Sequence, residues 1–378
     1  MTTKVLFIIV ISLLVICCLS PVANSYGEED QSTPGHPLWN EREAHVLTNA
    51  LRINPLQYAK VFYESVMGAP IGPNVLTPAK YPPVHPIYFE FDLMHASLAH
   101  DNDMITNLTC KVSHSDCNGT SMGDRLKKFI SPTCNSFLGE NMAMGMSGGL
   151  SANNLLICEK GAPPCLTDDL PFDKIGHRDN LMSLQYRAMG IGLMPGQAKS
   201  QYSYYWTMDF SSCRANIPTG FPVHGGSHTF INSSVVYITN YYDVYGSSNV
   251  TEALIHFSNG QTYQMSLEYN SAAKFGQLWT YRPATVTECL GYSFEFKTTN
   301  GTYIYPTTGQ LQTLTKLSSP CKAWTSNTLP TSSTSAPSTT TSSTTDHPNS
   351  TMSILNSFSS SISLSLLLLS LVILSASM

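Results

Sequence analysis

The chain has 378 residues, 42% of them hydrophobic and only 12% charged, with 20 basic against 25 acidic side chains and a formal charge of −5. No Lys/Arg-rich block occurs, so the electrostatic footprint of a nucleic-acid binder is missing and nucleic acid is excluded as the expected partner. The length allows two folded domains with appendages, and 24 Gly with 23 Pro predict short, turn-rich elements.

Residues 1–25 have the pattern of a secretory signal peptide: Lys4 in a short polar start, an apolar stretch from Val5 to Leu19, and Ala23-Asn24-Ser25 placing small residues around a cleavage point before Tyr26. From Trp39 the apolar spacing turns helical. Asn40 is the expected cap of a helix carrying Ala44, Leu47 and Leu51 on one face, and Pro55 after Asn54 restarts a second helix through Tyr58, Val61 and Phe62. A third is predicted from Phe91 to about Thr106, where His100 and Asp103 share no i, i+4 face and are expected to be solvated. A fourth is predicted from Asp179 to Gln185. Two strands follow, Ala188 to Leu193 and Tyr204 to Phe210, the second setting Tyr205, Thr207 and Asp209 opposite Trp206, Met208 and Phe210.

Beyond Asn216 the period changes to two. Val235 to Tyr242, Ala253 to Phe257, Thr262 to Leu267, Leu278 to Tyr281, Tyr292 to Phe296 and Thr302 to Tyr305 are predicted strands. Asn259-Gly260 and Asn300-Gly301 are predicted hairpin turns with positive φ at both positions. The class is α+β: a mixed first domain at 38–215 and a small all-β sandwich at 216–325, immunoglobulin-like by the frequency of that architecture and expected to fold alone. Residues 326–350 form a Ser/Thr-rich stalk, unable to bury enough apolar surface to fold. Residues 351–378 end in the apolar tail Leu364 to Leu374 with no basic residue after it. That pattern fits a removable glycosylphosphatidylinositol signal with Asn349 and Ser350 as attachment candidates, and it predicts an extracellular protein anchored to the plasma membrane.

Asn107, Asn118, Asn232, Asn249, Asn300 and Asn349 each head an Asn-x-Ser/Thr glycosylation site. Of 10 cysteines, Cys17 and Cys18 fall in the signal peptide, leaving 10 − 2 = 8 for disulfides in an oxidising compartment. Cys110–Cys117 and Cys158–Cys165 would close short loops and Cys289–Cys321 would stay in the second domain. Cys134–Cys213 follows by elimination, although spacing alone leaves the pairing open.

Five segments of the first domain stand in order: Asn49-Ala50-Leu51-Arg52-Ile53-Asn54-Pro55, Ser113-His114-Ser115-Asp116, Gly139-Glu140-Asn141-Met142-Ala143, Gly176-His177-Arg178-Asp179-Asn180-Leu181-Met182 and Tyr205-Trp206-Thr207-Met208-Asp209-Phe210. Together they resemble the CAP superfamily of cysteine-rich secretory, antigen 5 and pathogenesis-related 1 proteins, in its Gly-His-Arg branch. The resemblance covers about Leu38 to Cys213. It implies an α-β-α sandwich with a cleft of two histidines and two acids, matched here by His114, Glu140 and His177. Glu159 is the candidate for the second acid, with Asp168, Asp169 and Asp173 as alternatives. His114 and His177 are then candidate ligands of a divalent metal such as zinc, although tight zinc sites take a third protein ligand that is not evident here. Arg178 suits a carboxylate or carbonyl partner better than a substrate.

Gly145-Met146-Ser147-Gly148-Gly149 matches G-x-S-x-G, but a nucleophile elbow requires a strand before it and a helix after it, and a glycine-rich loop is expected here instead. Three functions follow. The first is a non-enzymatic surface binding module for a lipid or sterol, a glycan or a protein; the second is a metal-dependent hydrolase using His114, His177 and Glu140; the third is adhesion through the β domain.

Overall fold

The computed structural model describes residues 37–313, except 133–136, 160–164, 166–175, 214–220, 272–275, 285–288 and 308. The signal peptide, the stalk, the anchor signal with Asn349 and Ser350, Asp168, Asp169, Asp173, Cys134 and Cys321 lie outside the described residues, as does most of the expected domain boundary.

The chain is α+β. Helix α1 (Trp39–Ile53) begins one residue before the expected cap. Leu38 is its N-cap, and the Leu38 N–H donates to Glu41 Oε2 at 2.6 Å, so Asn40 lies inside the first turn. Asn54 ends α1 and caps α2 (Pro55–Tyr58), its Oδ1 accepting from the Gln57 N–H at 3.2 Å ahead of a proline at the first helical position. A π-helical turn (Ala59–Glu64) and a short α3 (Ser65–Met67) follow, ending at Gly68 with φ 66°.

The first sheet comprises β1 (Tyr88–Phe89), β2 (Leu138–Met144), β3 (Ala188–Pro195) and β4 (Tyr204–Ser211) in the order β1-β3-β4-β2, parallel only between β1 and β3. The helices around it are α4 (Phe91–Thr106), α5 (Met122–Leu126), α6 (Gly149–Cys158) and α7 (Gly176–Met182). The predicted alternation of β4 divides its side chains between two helical layers. Trp206, Met208 and Phe210 join one apolar cluster with α1, α6 and α7, each burial being worth roughly 2 kcal/mol. Thr207 and Asp209 instead bond to Asp101 and Ser97 of α4. Helix α4 lies so close to β3 that a Cβ on Gly190 would sit 2.0 Å from the Met94 backbone nitrogen, so this position has room only for glycine.

Among the described residues nine strands follow: β5 (Val223–Ile231), β6 (Ser234–Tyr241), β7 (Val250–Phe257), β8 (Thr262–Gln264), β9 (Ser266–Asn270), β10 (Gln277–Tyr281), β11 (Gly291–Thr298), β12 (Gly301–Tyr305) and β13 (Leu311–Gln312). They make one sheet ordered β5-β6-β10-β9 and another ordered β12-β11-β7-β8, with β13 pairing on β11. Val223, Val235, Tyr237 and Tyr241 of the first meet Ala253, Ile255, Phe257, Phe294 and Phe296 of the second in a shared core.

Both Asn-Gly pairs sit at hairpins, but only their glycines have positive φ (Gly260 83°, Gly301 150°). The turn with two positive-φ residues is Asn232-Ser233 (49° and 65°) between β5 and β6, where no glycine signals it. Cys110–Cys117 and Cys158–Cys165 are disulfides, with Cα separations of 5.4 and 5.1 Å. Cys213 and Cys289 are also disulfide-bonded. Among the described residues no helix is long and apolar enough to cross a membrane.

Helix α1 is covered on every side. All of its residues except Asn40 are buried, charged ones included. One side packs on α6 and the first sheet; the other meets Val236, Ile238, Tyr269 and Leu278 of the β5-β6-β10-β9 sheet, which join the same apolar cluster. Its polar groups bond to surrounding segments. Glu43 accepts from the Gly149 N–H (2.7 Å), the Leu150 N–H (3.3 Å) and Thr229 Oγ1 (2.6 Å). Arg52 donates to the carbonyls of His85, Leu181 and Ser183 at 2.9, 2.7 and 2.9 Å. Asn49 pairs with both backbone groups of Ile87, and Trp39 Nε1 donates to the His228 carbonyl at 2.8 Å. These bonds account for the polar residues of the Asn49 to Pro55 motif: Asn49, Arg52 and Asn54 each pair with backbone groups of neighbouring segments.

Candidate functional site

His114 lies in the loop between α4 and α5, beside the Cys110–Cys117 disulfide. Its Nδ1 is 2.7 Å from Glu140 Oε1 on β2, and Arg125 of α5 bonds the other oxygen of Glu140. Ser121 caps α5, with its Oγ accepting from the Asp124 N–H at 3.2 Å, and so sets the start of the short helix that carries Arg125. The guanidinium also donates to Asp116 Oδ1 at 2.6 Å. His100 enters the same network. Its Nε2 donates to the Ser113 carbonyl at 2.9 Å and its Nδ1 lies 2.9 Å from Arg125 Nη1, so it is fully buried rather than solvated as expected. Asp103 is likewise engaged, accepting from the Cys117 N–H. The disulfide-closed loop folds back over α4, which helical spacing alone does not reveal.

The second histidine has its own carboxylate. Glu159 follows α6 with φ 63°, a conformation that side-chain-bearing residues seldom adopt. Its Oε2 is 2.7 Å from His177 Nδ1 and its Oε1 accepts from the Arg178 N–H at 2.6 Å. Arg178 is buried and turned inward, donating to the carbonyls of Ile157 (2.8 Å) and Val75 (3.2 Å).

The segments carrying the two pairs are bonded to each other. Asn141, next to Glu140, donates to the His177 carbonyl at 2.9 Å; Asn180 donates to the Glu140 carbonyl at 3.2 Å and to Asn141 Oδ1 at 2.9 Å. Tyr186 OH holds Asn180 from behind at 3.1 Å, and a Cβ on Gly139 would lie 2.1 Å from that hydroxyl, so the glycine of Gly-Glu-Asn makes room for it. The structure thus joins His114 to Glu140 and His177 to Glu159, on neighbouring elements. Both imidazoles are partly open, with 55% and 33% of the side chain exposed, over carboxylates that are 1% and 3% exposed.

Each histidine has Nδ1 committed to a carboxylate, and among the described residues no group of three or more His, Cys, Asp or Glu is placed to hold a metal ion. A tight zinc site takes three protein ligands and an open position, and this set does not supply them. Ser147, contrary to expectation, does sit between a strand and a helix, because 149–158 is helical; it is exposed, and no histidine bonds to it among the described residues. A cavity of ≈ 170 Å³ at the π-helical turn is lined by Leu56, Lys60, Ile71 and Leu76 among others and includes none of the four site residues. Arg125, Asp116 and Asn180 belong to the site network but are not named as site residues by the sequence, and His100, expected to be solvated, joins them. Asp116 and Asn180 lay inside quoted motifs, whereas Arg125 lay in none.

No protein-family model, curated protein or solved structure matches the chain.

Proposed function

We propose that residues 38–215 are a CAP-type domain and that the protein is a non-enzymatic, extracellular binding module held at the cell surface by a glycosylphosphatidylinositol anchor, its cleft taking a lipid or sterol, a glycan or a protein ligand. The observation that carries this is the pair of partly exposed imidazoles, each backed by a buried carboxylate. A carboxylate on Nδ1 fixes the ring's orientation and tautomer and leaves Nε2 for a ligand. The ordered motifs and the helix-flanked four-stranded sheet support the family assignment. The sheets β5-β6-β10-β9 and β12-β11-β7-β8 correspond strand for strand to the ABED and GFC sheets, with an added C′, of an immunoglobulin-type sandwich, which supports that assignment for the second region.

The test is to purify the full chain from native membranes, identify co-purifying compounds by mass spectrometry of extracts, and screen a glycan array. A His114→Gln, His177→Gln double variant with an unchanged circular dichroism spectrum should lose the ligand. Unaltered binding by the double variant would remove the cleft as the site. Stoichiometric zinc with chelator-sensitive cleavage of a peptide library would replace this function by a hydrolase.

A further inference from the structure

Strands β2 and β4 set Glu140 directly opposite Asp209, which places both carboxyl side chains on one face of the ladder. Like charges facing each other across a ladder are destabilising, and burial leaves no water to screen them. Glu140 is already engaged, with Oε1 on His114 Nδ1 at 2.7 Å and Oε2 on Arg125. Asp209 is fully buried; its Oδ2 accepts from Ser97 Oγ at 2.9 Å, and as a carboxylate its Oδ1 has no donor to accept from. A proton on Oδ1 removes both faults, because it neutralises one of the two acids and turns the orphaned acceptor into a donor.

We propose that Asp209 is a buried neutral acid whose Oδ1–H donates to Glu140, and that it is a positioning residue for the carboxylate that orients His114. Its role in ligand binding rests on the function proposed above; its protonation does not.

The surroundings agree from each side. Helix α4 contributes Ser97 and a second buried acid, Asp101, whose Oδ1 accepts from Thr207 Oγ1 at 2.6 Å. Strand β2 contributes Glu140, and α5 contributes Arg125, a cation shared with Glu140 and Asp116. Glu41 of α1 is a further carboxyl near Asp101, itself pushed up to about 8 by burial. Burial and then the Glu140 charge push the Asp209 carboxyl well above the usual carboxylate range, against the pull of Arg125 and Ser97. Burial does the same to Asp101, against the Thr207 bond. With Asp209 neutral, Arg125 faces two carboxylates, Glu140 and Asp116; with Asp209 ionised it would face three.

Infrared spectroscopy of the full chain in detergent is expected to show carbonyl stretches of buried carboxylic acids at neutral pH, Asp101 and Asp209 among them, and in the difference spectrum Asp209→Asn should remove the Asp209 component. The asparagine can donate through Nδ2 to Glu140 and accept from Ser97, so this variant should keep the downfield proton resonance of His114 Nδ1, whereas Asp209→Ala should shift or lose it. The proposal is overturned if Asp209→Asn removes no carbonyl band, or if it displaces the His114 resonance as far as the alanine does. If the alanine variant does not fold, the band and the asparagine spectrum still decide. None of these readouts involves a ligand, so they can fail while His114→Gln still abolishes binding, and the reverse.

Discussion

Glu43→Gln isolates one of the acids that α1 buries. Glu43 lies wholly inside the protein, and burial pushes its carboxyl from 4.5 to about 7 against the pull of Thr229, Gly149 and Leu150. A folded pKa above the unfolded one means that the folded chain holds the proton more strongly. Stability from this group is therefore fully present below about pH 4.5 and is lost as pH rises through about 7. The gap corresponds to about 3 kcal/mol. Glutamine keeps the shape: its oxygen can accept from Gly149 and Leu150, and the Thr229 hydroxyl can turn to accept from its amide. Urea unfolding of both proteins from about pH 4.5 to about pH 8 should show the variant gaining roughly 3 kcal/mol relative to wild type across that span. The comparison is needed because neighbouring histidines slope the other way. Burial lowers His45 to about 4 and His228 to about 3, so their contribution is present above 6.5 and is lost as pH falls through those values. A difference between variant and wild type that stays constant with pH would refute the assignment of a raised Glu43.

Gly190→Ala should destabilise by at least about 3 kcal/mol in thermal unfolding, since the new methyl meets the backbone of Met94 and Leu93 at 2.0 and 2.2 Å, neither of which is a flexible side chain end. Expressed alone, residues 216–325 should fold around their own two-sheet core but self-associate through the Val236, Ile238, Tyr269 and Leu278 face that α1 covers, while residues 38–215 alone should aggregate because α1 loses that cover. Size-exclusion chromatography of the two fragments checks this, and a soluble, monomeric first fragment would contradict it. Phosphatidylinositol-specific phospholipase C should release the protein from expressing cells into the supernatant, and retention of a tag placed after Met378 would instead mean a spanning tail.

The elements that were legible in the sequence are those whose pattern is local. Helix α4 matches its predicted span, and the alternation on β4 sorts its residues as written, because periodicity reports which faces are buried. Helix α6 is hidden by Gly145 and Gly148, which serve the turn and cap before it, and by Gly149, its first residue, which packs against the backbone of Asn40 and Ala44. Strand β5 was hidden by His224-Gly225-Gly226-Ser227, a run that fits only because His45 and Phe294 press against its glycines. Of the site, His114, Glu140, His177 and Glu159 come together as two pairs, and motifs had marked all but Glu159, whose place depends on an unusual backbone angle after α6. The faces of α1 were legible only in part. Ala44, Leu47 and Leu51 mark one side, while nothing in the pattern marks Glu41, Glu43, Asn49 and Arg52 as buried, because the partners that surround them are distant in sequence.

Those partners are far along the chain from α1. The bonds that complete its polar groups span 38 residues to Ile87, 106 to Gly149, 129 to Leu181, 152 to Leu193 and 189 to His228, and the Tyr269 hydroxyl reaches back 219 to the Ala50 carbonyl. During synthesis the helix therefore emerges long before anything exists to cover it, and its carboxylates and guanidinium stay hydrated through the translation of some two hundred further residues. Contacts of such separation close slowly. Assembly of the centre is accordingly a late event, exposed to chaperone capture until β9 and β10 have been made, so that the first of the described helices to be synthesised is among the last to be enclosed.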